Sequence, residues 1–368
     1  MGFSDFIGNE TAVRHLREAI AAGRLPHSLL LAGPRGAGKY TLAVMLAQAV
    51  NCLEQPQTDG LPDFCGRCAN CERIGQALDL DARVAEAIAA HEELREVDKK
   101  ETRILVQTHP SVLVIPPDPP QLLIKMGQVR TMIREVQRTP AEARRSVFVF
   151  TSASFMKEAA NSLLKVLEEP PPYALIVLTA ENPGELLPTI RSRTSLVRLG
   201  AIPTEEIEPL LASRRNDLKP KERALVARLA EGAVGRALGF DLPGYLSART
   251  DALVLLRNAL QAADHSALFR MTETYRAGAE GQQKTVALIK AMRSLLEDLL
   301  MVVSGASGLI RNIDLERELD VMAGQVTLEW LERAARGLQA VESGMRRNLL
   351  RNVSLDAFAT ELEGAARG

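Results

Sequence analysis

Apolar residues recur at two different periods along the first half of the chain and at one period along the second. From Thr11 to Ala22, Val13, Leu16, Ile20 and the alanines fall at helical spacing. HSLLLAG (His27 to Gly33) reads as a short buried strand running into glycines, and Thr41 to Val50 predicts a helix. SVFVF (Ser146 to Phe150) and ALIVLTA (Ala174 to Ala180) are continuous apolar runs, the pattern of strands covered on both faces. Between them, Lys157 to Leu167 sets Ala159, Ala160, Leu163, Leu164 and Leu167 on one helical face, and Pro170, Pro171 and Pro172 end that helix. Strands alternating with helices predict a mostly parallel α/β sheet.

After about residue 199 the strand pattern gives way. Ile202-Pro203-Thr204, followed by Glu205 and Glu206, reads as a helix start with an acidic first turn. A small helical unit runs to about Phe240, and Pro243-Gly244 marks the next boundary. Amphipathic helices then continue to the end, broken between Ser304 and Gly308. Asp79 to Gln107 is charged and alanine-rich, and predicts a solvated helical insertion. The pattern divides the chain into an α/β domain over 1–199 and all-α domains over 200–242 and 243–368.

Charge narrows the functional classes. The 45 basic and 46 acidic residues leave a net charge of −1, so any contact with nucleic acid must be local rather than spread over the surface. MGFSDFIGNE lacks the basic and apolar regions of a signal peptide, and the apolar run Leu299 to Ile310 is short and holds Ser304 and Ser307. These features predict a cytoplasmic protein with no membrane partner.

All four cysteines, Cys52, Cys65, Cys68 and Cys71, lie in one stretch with spacing C-x12-C-x2-C-x2-C. Two-residue gaps let thiolates converge on one ion, and four thiolates close a tetrahedral shell with no open position. The expectation is a structural Zn²⁺ rather than disulfides. An iron–sulfur cluster uses the same ligands, but nothing else in the sequence suggests electron transfer.

GPRGAGKYTLA (Gly33 to Ala43) follows a predicted strand and precedes a predicted helix, the context of a phosphate-binding loop. Gly33, Gly38 and Lys39 fit the spacing G-x-x-x-x-G-K-[ST], with Gly36 between them. Tyr40 stands where a small hydroxyl would hold Mg²⁺, and its phenol is expected to crowd a phosphate. Thr41 comes one residue late, about 100° further round the helix.

The loop GPRGAGK, the four-cysteine module close behind it, NSLLKVLEEPPP (Asn161 to Pro172) and SRT (Ser192 to Thr194) together resemble the bacterial clamp-loader ATPase family of AAA+ proteins. SRT stands where that family has Ser-Arg-Cys. The likeness covers about the first 200 residues and extends weakly through the C-terminal helices, as in LRNVSLDAFATEL (Leu350 to Leu362). It implies a RecA-like AAA+ P-loop domain carrying a zinc module (52–71) and a helical insert (79–107). A small helical lid and a C-terminal helical collar that joins a hetero-pentameric ring would follow.

Two kinds of subunit share that build: a motor, gamma or tau, that hydrolyses ATP, and a stator that lends an arginine to its neighbour. Motor subunits carry Asp-Glu after the strand that here is SVFVF; this chain has Thr151 and Ser152, and the next acid, Glu158, lies inside the following helix. The polar sensor position falls near Ala180, beside Thr179 and Glu181. Where motors place a nucleotide-sensing arginine, GAVGRAL (Gly232 to Leu238) has Gly235, with Arg236 one residue late. The resemblance therefore implies a stator without ATPase activity of its own, within a DNA-directed DNA polymerase holoenzyme. ATP or ADP binding stays open at Gly33, Gly36, Gly38, Lys39 and Thr41. Arg193 would be an arginine finger acting in trans, with Arg191 and Arg198 nearby. Implied partners are the gamma/tau and delta subunits, the sliding clamp and primer-template DNA. The alternatives are a hydrolysing gamma/tau-like motor, and a zinc-containing DNA-binding module using Arg346, Arg347 and Arg351.

Overall fold

The computed structural model describes residues 2–94, 103–119, 121–261, 264–275, 279–346 and 349–366. The chain folds as two compact units: Met1–Pro203 with Gly232–Arg236, and Thr204–Glu231 with Ala237–Gly368.

The first unit is built on a six-stranded sheet. Its strands are β1 (Ser28–Ala32), β4 (Val106–His109), β5 (Val112–Ile115), β6 (Ser146–Phe150), β7 (Ala174–Ala180) and β8 (Ser195–Arg198). A two-residue hairpin pairs β2 (Gln57–Thr58) with β3 (Leu61–Pro62). The sheet order is β4-β5-β6-β7-β1-β8, parallel throughout except for the β4–β5 pair. The helices are α1 (Glu10–Ala21), α2 (Lys39–Asn51), α3 (Ala69–Gly75), α4 (Leu80–Glu92), α5 (Met126–Val136), α6 (Lys157–Glu168) and the single turn α7 (Pro188–Arg191).

The all-apolar strands follow from having two cores. Leu29, Leu31, Val147, Val149, Leu175 and Val177 pack into one cluster, with α1 and α2. Their neighbours Leu30, Phe148, Phe150, Ile176 and Leu178 pack into the other, with α5 and α6. Side chains alternate across a strand, so a central strand covered on both faces is apolar nearly throughout, with Ser28, Ser146 and Thr179 at or near the strand ends.

The insertion differs from its sequence expectation. Helix α4 ends at Glu92 with none of its residues buried, residues 95–102 lie outside the described residues, and Val106 and Gln107 belong to β4. Backbone pairing to β5 overrides the polar character of VQTH, because an edge strand needs only one covered face.

The second unit is helical throughout its described residues. Helices α8 (Thr204–Arg214), α9 (Pro220–Leu229) and α10 (Val234–Leu238) lead to α11 (Leu242–Gln261), α12 (Ser266–Thr272), α13 (Ala279–Val303), α14 (Glu316–Ala323), α15 (Leu328–Arg346) and α16 (Arg351–Ala366). The start of α10, through Arg236, groups with the first unit. Leu256, Leu295, Leu299, Trp330 and Phe358 join α11, α13, α15 and α16 in one core. Pro243 and Gly244 lie in the first turn of α11, just after the break that precedes Leu242, where proline's missing N–H has no helical partner to lose. No described helix is long and apolar enough to cross a membrane.

Candidate functional site

The glycine loop leaves the carboxyl end of β1, which lies between β7 and β8 in the sheet. The N–H of Gly33 donates to the carbonyl of Ala180 (3.2 Å), tying the loop's start to β7. Gly36 and Gly38 have φ of 85° and 83°, a left-handed conformation that a side chain would strain. Gly38 then caps α2, and its carbonyl accepts from Leu42 N–H (2.8 Å). The Lys39 ammonium curls back over the loop, donating to the carbonyls of Gly33 (2.6 Å) and Pro34 (2.8 Å). Burial lowers its pKa, partly offset by Glu181 and Glu185. Thr41, two positions beyond Lys39 on α2, is half-buried.

Tyr40 does not crowd the loop as expected. Its phenol turns away and donates to the carbonyl of Ala77 (2.5 Å), just beyond the cysteine module, and burial pushes its pKa well up. Its ring packs on the core beneath β1 and α2. The helical direction of α2 puts position 40 over that module rather than over the loop.

Where hydrolysis needs carboxylates, β6 delivers Thr151, whose N–H donates to the carbonyl of Ile115 (3.2 Å), and Ser152, whose hydroxyl accepts from Ser154 N–H (3.1 Å). Thr179 is buried near the end of β7, and Glu181 is exposed just past it. Gly235 presses its backbone on the loop, donating to the carbonyl of Gly36 at 2.8 Å. A Cβ at Gly235 would sit 3.0 Å from that carbonyl oxygen.

The four cysteines converge. Cys52 ends α2, Cys65 and Cys68 flank a turn, and Cys71 lies in the first turn of α3. Their sulfur atoms all lie within 4.8 Å of one another. A tetrahedral ion with ~2.3 Å bonds to sulfur needs its ligands about 3.8 Å apart, so the set fits a metal with small adjustments. Backbone N–H groups already point at the sulfurs: Gln55 (3.2 Å) and Cys65 (3.3 Å) donate to Cys52, and Cys68 (3.2 Å) donates to Cys65. Such donors stabilise thiolates. Burial opposes ionisation of Cys68, yet N–H groups of Cys71 and Leu53 bring its pKa down to about 7.

The module is anchored by polar residues that the sequence pattern does not single out. Asn51 accepts from the N–H groups of Arg144 (3.1 Å) and Arg145 (2.9 Å) and donates to the carbonyl of Arg145 (3.1 Å). Arg17 donates to the carbonyls of Thr58, Leu61 (2.9 Å) and Pro62 (3.0 Å), fixing the hairpin that precedes Cys65. The available signal was position: Asn51 precedes a cysteine and Asn70 lies between two.

Arg193 follows α7. Its guanidinium pairs with Glu168 (2.5 Å) at the end of α6 and donates to the carbonyl of Thr189 (2.8 Å). It stays one-third exposed. Of the arginines in the DNA-binding alternative, Arg347 lies outside the described residues.

Among characterised relatives, the tau subunit of DNA polymerase III from Escherichia coli K12 is 26% identical over 354 residues, covering 94% of this chain and 47% of the relative. The delta' subunit of DNA polymerase III from Bacillus subtilis 168 is 30% identical over 215 residues, 58% of this chain and 54% of the relative. The chain thus spans about half the length of these relatives. Among solved structures, a DNA polymerase III gamma subunit-related protein from Thermotoga maritima is 18% identical, with a TM-score of 0.45 over 97% of this chain and all of that one. The family model described as DNA polymerase III, delta subunit, matches residues 8–203, more than half of the chain, which therefore belongs to this clamp-loader family.

Proposed function

We propose that the chain is a non-hydrolysing stator of the delta' kind in a bacterial clamp loader, acting in the cytoplasm with gamma/tau and delta subunits to place a sliding clamp on primed DNA. The observation that carries this reading is the chemistry around the loop. Tyr40 is turned onto Ala77, and Thr151 and Ser152 supply no carboxylate after β6. Mg²⁺ wants anionic oxygen, and attacking water wants a base; Thr151 and Ser152 offer neither. The loop keeps its glycines and Lys39, whose ammonium here bonds the carbonyls of Gly33 and Pro34, and nucleotide binding without turnover is compatible with this role.

In this reading Arg193 acts in trans, stabilising charge on the γ-phosphate of a neighbour's ATP, for which an always-charged planar donor is suited. Its bond to Glu168 supports a preset position near the surface. The cysteine set holds a structural Zn²⁺ through Cys52, Cys65, Cys68 and Cys71; four thiolates leave no site for reactive water. The lid and collar domains, 200–242 and 243–368, supply the ring contacts.

The test is steady-state ATP hydrolysis by the reconstituted loader with clamp and primed DNA, altering this subunit alone. Arg193→Ala should cut turnover at least tenfold, within the ~10³–10⁵ that such arginines contribute, while Lys39→Ala leaves it unchanged. Hydrolysis by the isolated wild-type chain that disappears in Lys39→Ala overturns the reading.

A further inference from the structure

At the amino ends of the parallel strands, opposite the end that carries the glycine loop, Arg144 and Arg145 line a cavity of about 440 Å³ where β6 and β7 begin. Leu25 and Val50 give it apolar lining, and Gln55 and Tyr173 contribute the other polar groups. That volume falls in the range of small-ligand sites, and a few convergent polar groups on an apolar surface are their usual make-up.

The Arg145 side chain has no partner among the described residues. Its guanidinium forms no ion pair and donates no hydrogen bond there, and its Nη1 is wholly covered. Burial works against its charge, with no carboxylate to offset the effect. A half-buried cation with one covered, unpaired nitrogen and no counter-ion gains from an anion placed beside it. Arg144 donates to Gln55 Oε1 and also lacks an ion pair among the described residues.

The backbone of both arginines is held in place from the neighbouring module. Asn51, itself buried, binds both their N–H groups and the Arg145 carbonyl, and Asn70 of the cysteine module binds the carbonyl of Asn51. Two adjacent guanidinium groups match a doubly charged phosphate monoester better than a singly charged carboxylate, because each fork takes a pair of oxygens. The apolar lining and the Tyr173 ring suit a flat body attached to it.

The geometry points to a second anion site, distinct from the glycine loop, that takes a phosphate monoester on a flat, partly apolar body. A free nucleotide and the 5′-phosphate end of a DNA strand share this chemistry. Calorimetric titration of the full metal-loaded chain with thymidine monophosphate, a 5′-phosphorylated thymidine trinucleotide and unphosphorylated thymidine tests it.

Thymidine monophosphate should bind wild type and Lys39→Ala equally, Arg145→Met should weaken binding at least tenfold, and thymidine should not bind. The exposed Arg144→Met, which leaves the buried scaffold untouched, should weaken it at least threefold. Tighter binding of the trinucleotide assigns the site to a strand end; equal or weaker binding assigns it to a free nucleotide. No binding of either phosphate, binding lost in Lys39→Ala, or binding indifferent to both arginine changes overturns the proposal.

Discussion

Asn70, set between Cys68 and Cys71, donates its side-chain amide to the main-chain carbonyl of Asn51, the residue before Cys52, at 3.0 Å. The same nitrogen reaches the carbonyl of Glu142 (3.0 Å), and Arg73 pairs with the Glu142 carboxylate (2.7 Å). One amide thus closes the cysteine loop on itself and fastens it to the chain entering β6. Loss of a bound metal should therefore be felt beyond the module.

The purified chain should carry one equivalent of zinc by elemental analysis. Cys71→Ser should abolish it and lower the melting temperature by about 6–12 °C, from a loss of ~3 kcal/mol at 2–4 °C per kcal/mol. A melt unmoved by both Cys71→Ser and chelation would falsify the structural role. Asn70→Ala should retain the metal yet cost about 2–3 kcal/mol in urea unfolding, because several buried groups lose their partner together.

Tyr40→Phe should cost about 1–2 kcal/mol by urea titration, since the Ala77 carbonyl loses its donor. Tyr40→Ser restores a small hydroxyl at the metal-binding position but should give no ATP hydrolysis in the isolated chain. Turnover in that variant would mean that the missing carboxylates are supplied from elsewhere.

Gly36→Ala should destabilise the first unit by about 2–3 kcal/mol. The left-handed backbone is one cause. The other is that its Cβ would lie 2.7 Å from the backbone nitrogen of Arg236. Gly60→Ala, with a similar φ but nothing within 4 Å of the new Cβ, should cost about 1 kcal/mol. Equal melting shifts for the two would argue against close packing of residues 232–236 on the loop.

Acid should weaken the fold through His109. Its Nδ1 accepts from Ser111 N–H (3.1 Å), so the neutral ring carries its proton on Nε2, facing Asn70 Oδ1 (3.2 Å). Burial, then the Arg73 charge, hold its pKa below the usual 6.5. Below about pH 6.5 the unfolded chain therefore binds more protons than the folded one. Stability is intact above that pH and falls as pH drops towards the folded pKa, by up to ~1.4 kcal/mol per pH unit. His109→Gln should flatten the difference in urea midpoint between pH 7 and pH 5; an unchanged difference would remove His109 as its source.

Elements whose burial is uniform were legible in the amino-acid order alone. β1, β6 and β7 are apolar at every position or nearly so because both faces are covered, and α1 and α6 show their core stripe because one face is. Cysteine spacing likewise announced a four-thiol cluster, because two-residue gaps act over distances that local backbone geometry sets. Short elements at the sheet's margins were not legible: VQTH and SLVR become strands by pairing with β5 and β1, and no local pattern records that pairing. The same limit governs the sites. Whether Tyr40 faces the loop or Ala77, which carboxylate Arg193 meets, and that Gly235 touches Gly36 depend on residues 37, 25 and 199 positions away. Such contacts arise only when the whole first unit closes, since hydrogen bonds and ion pairs act over a few ångströms and the chain alone does not say what will come that near.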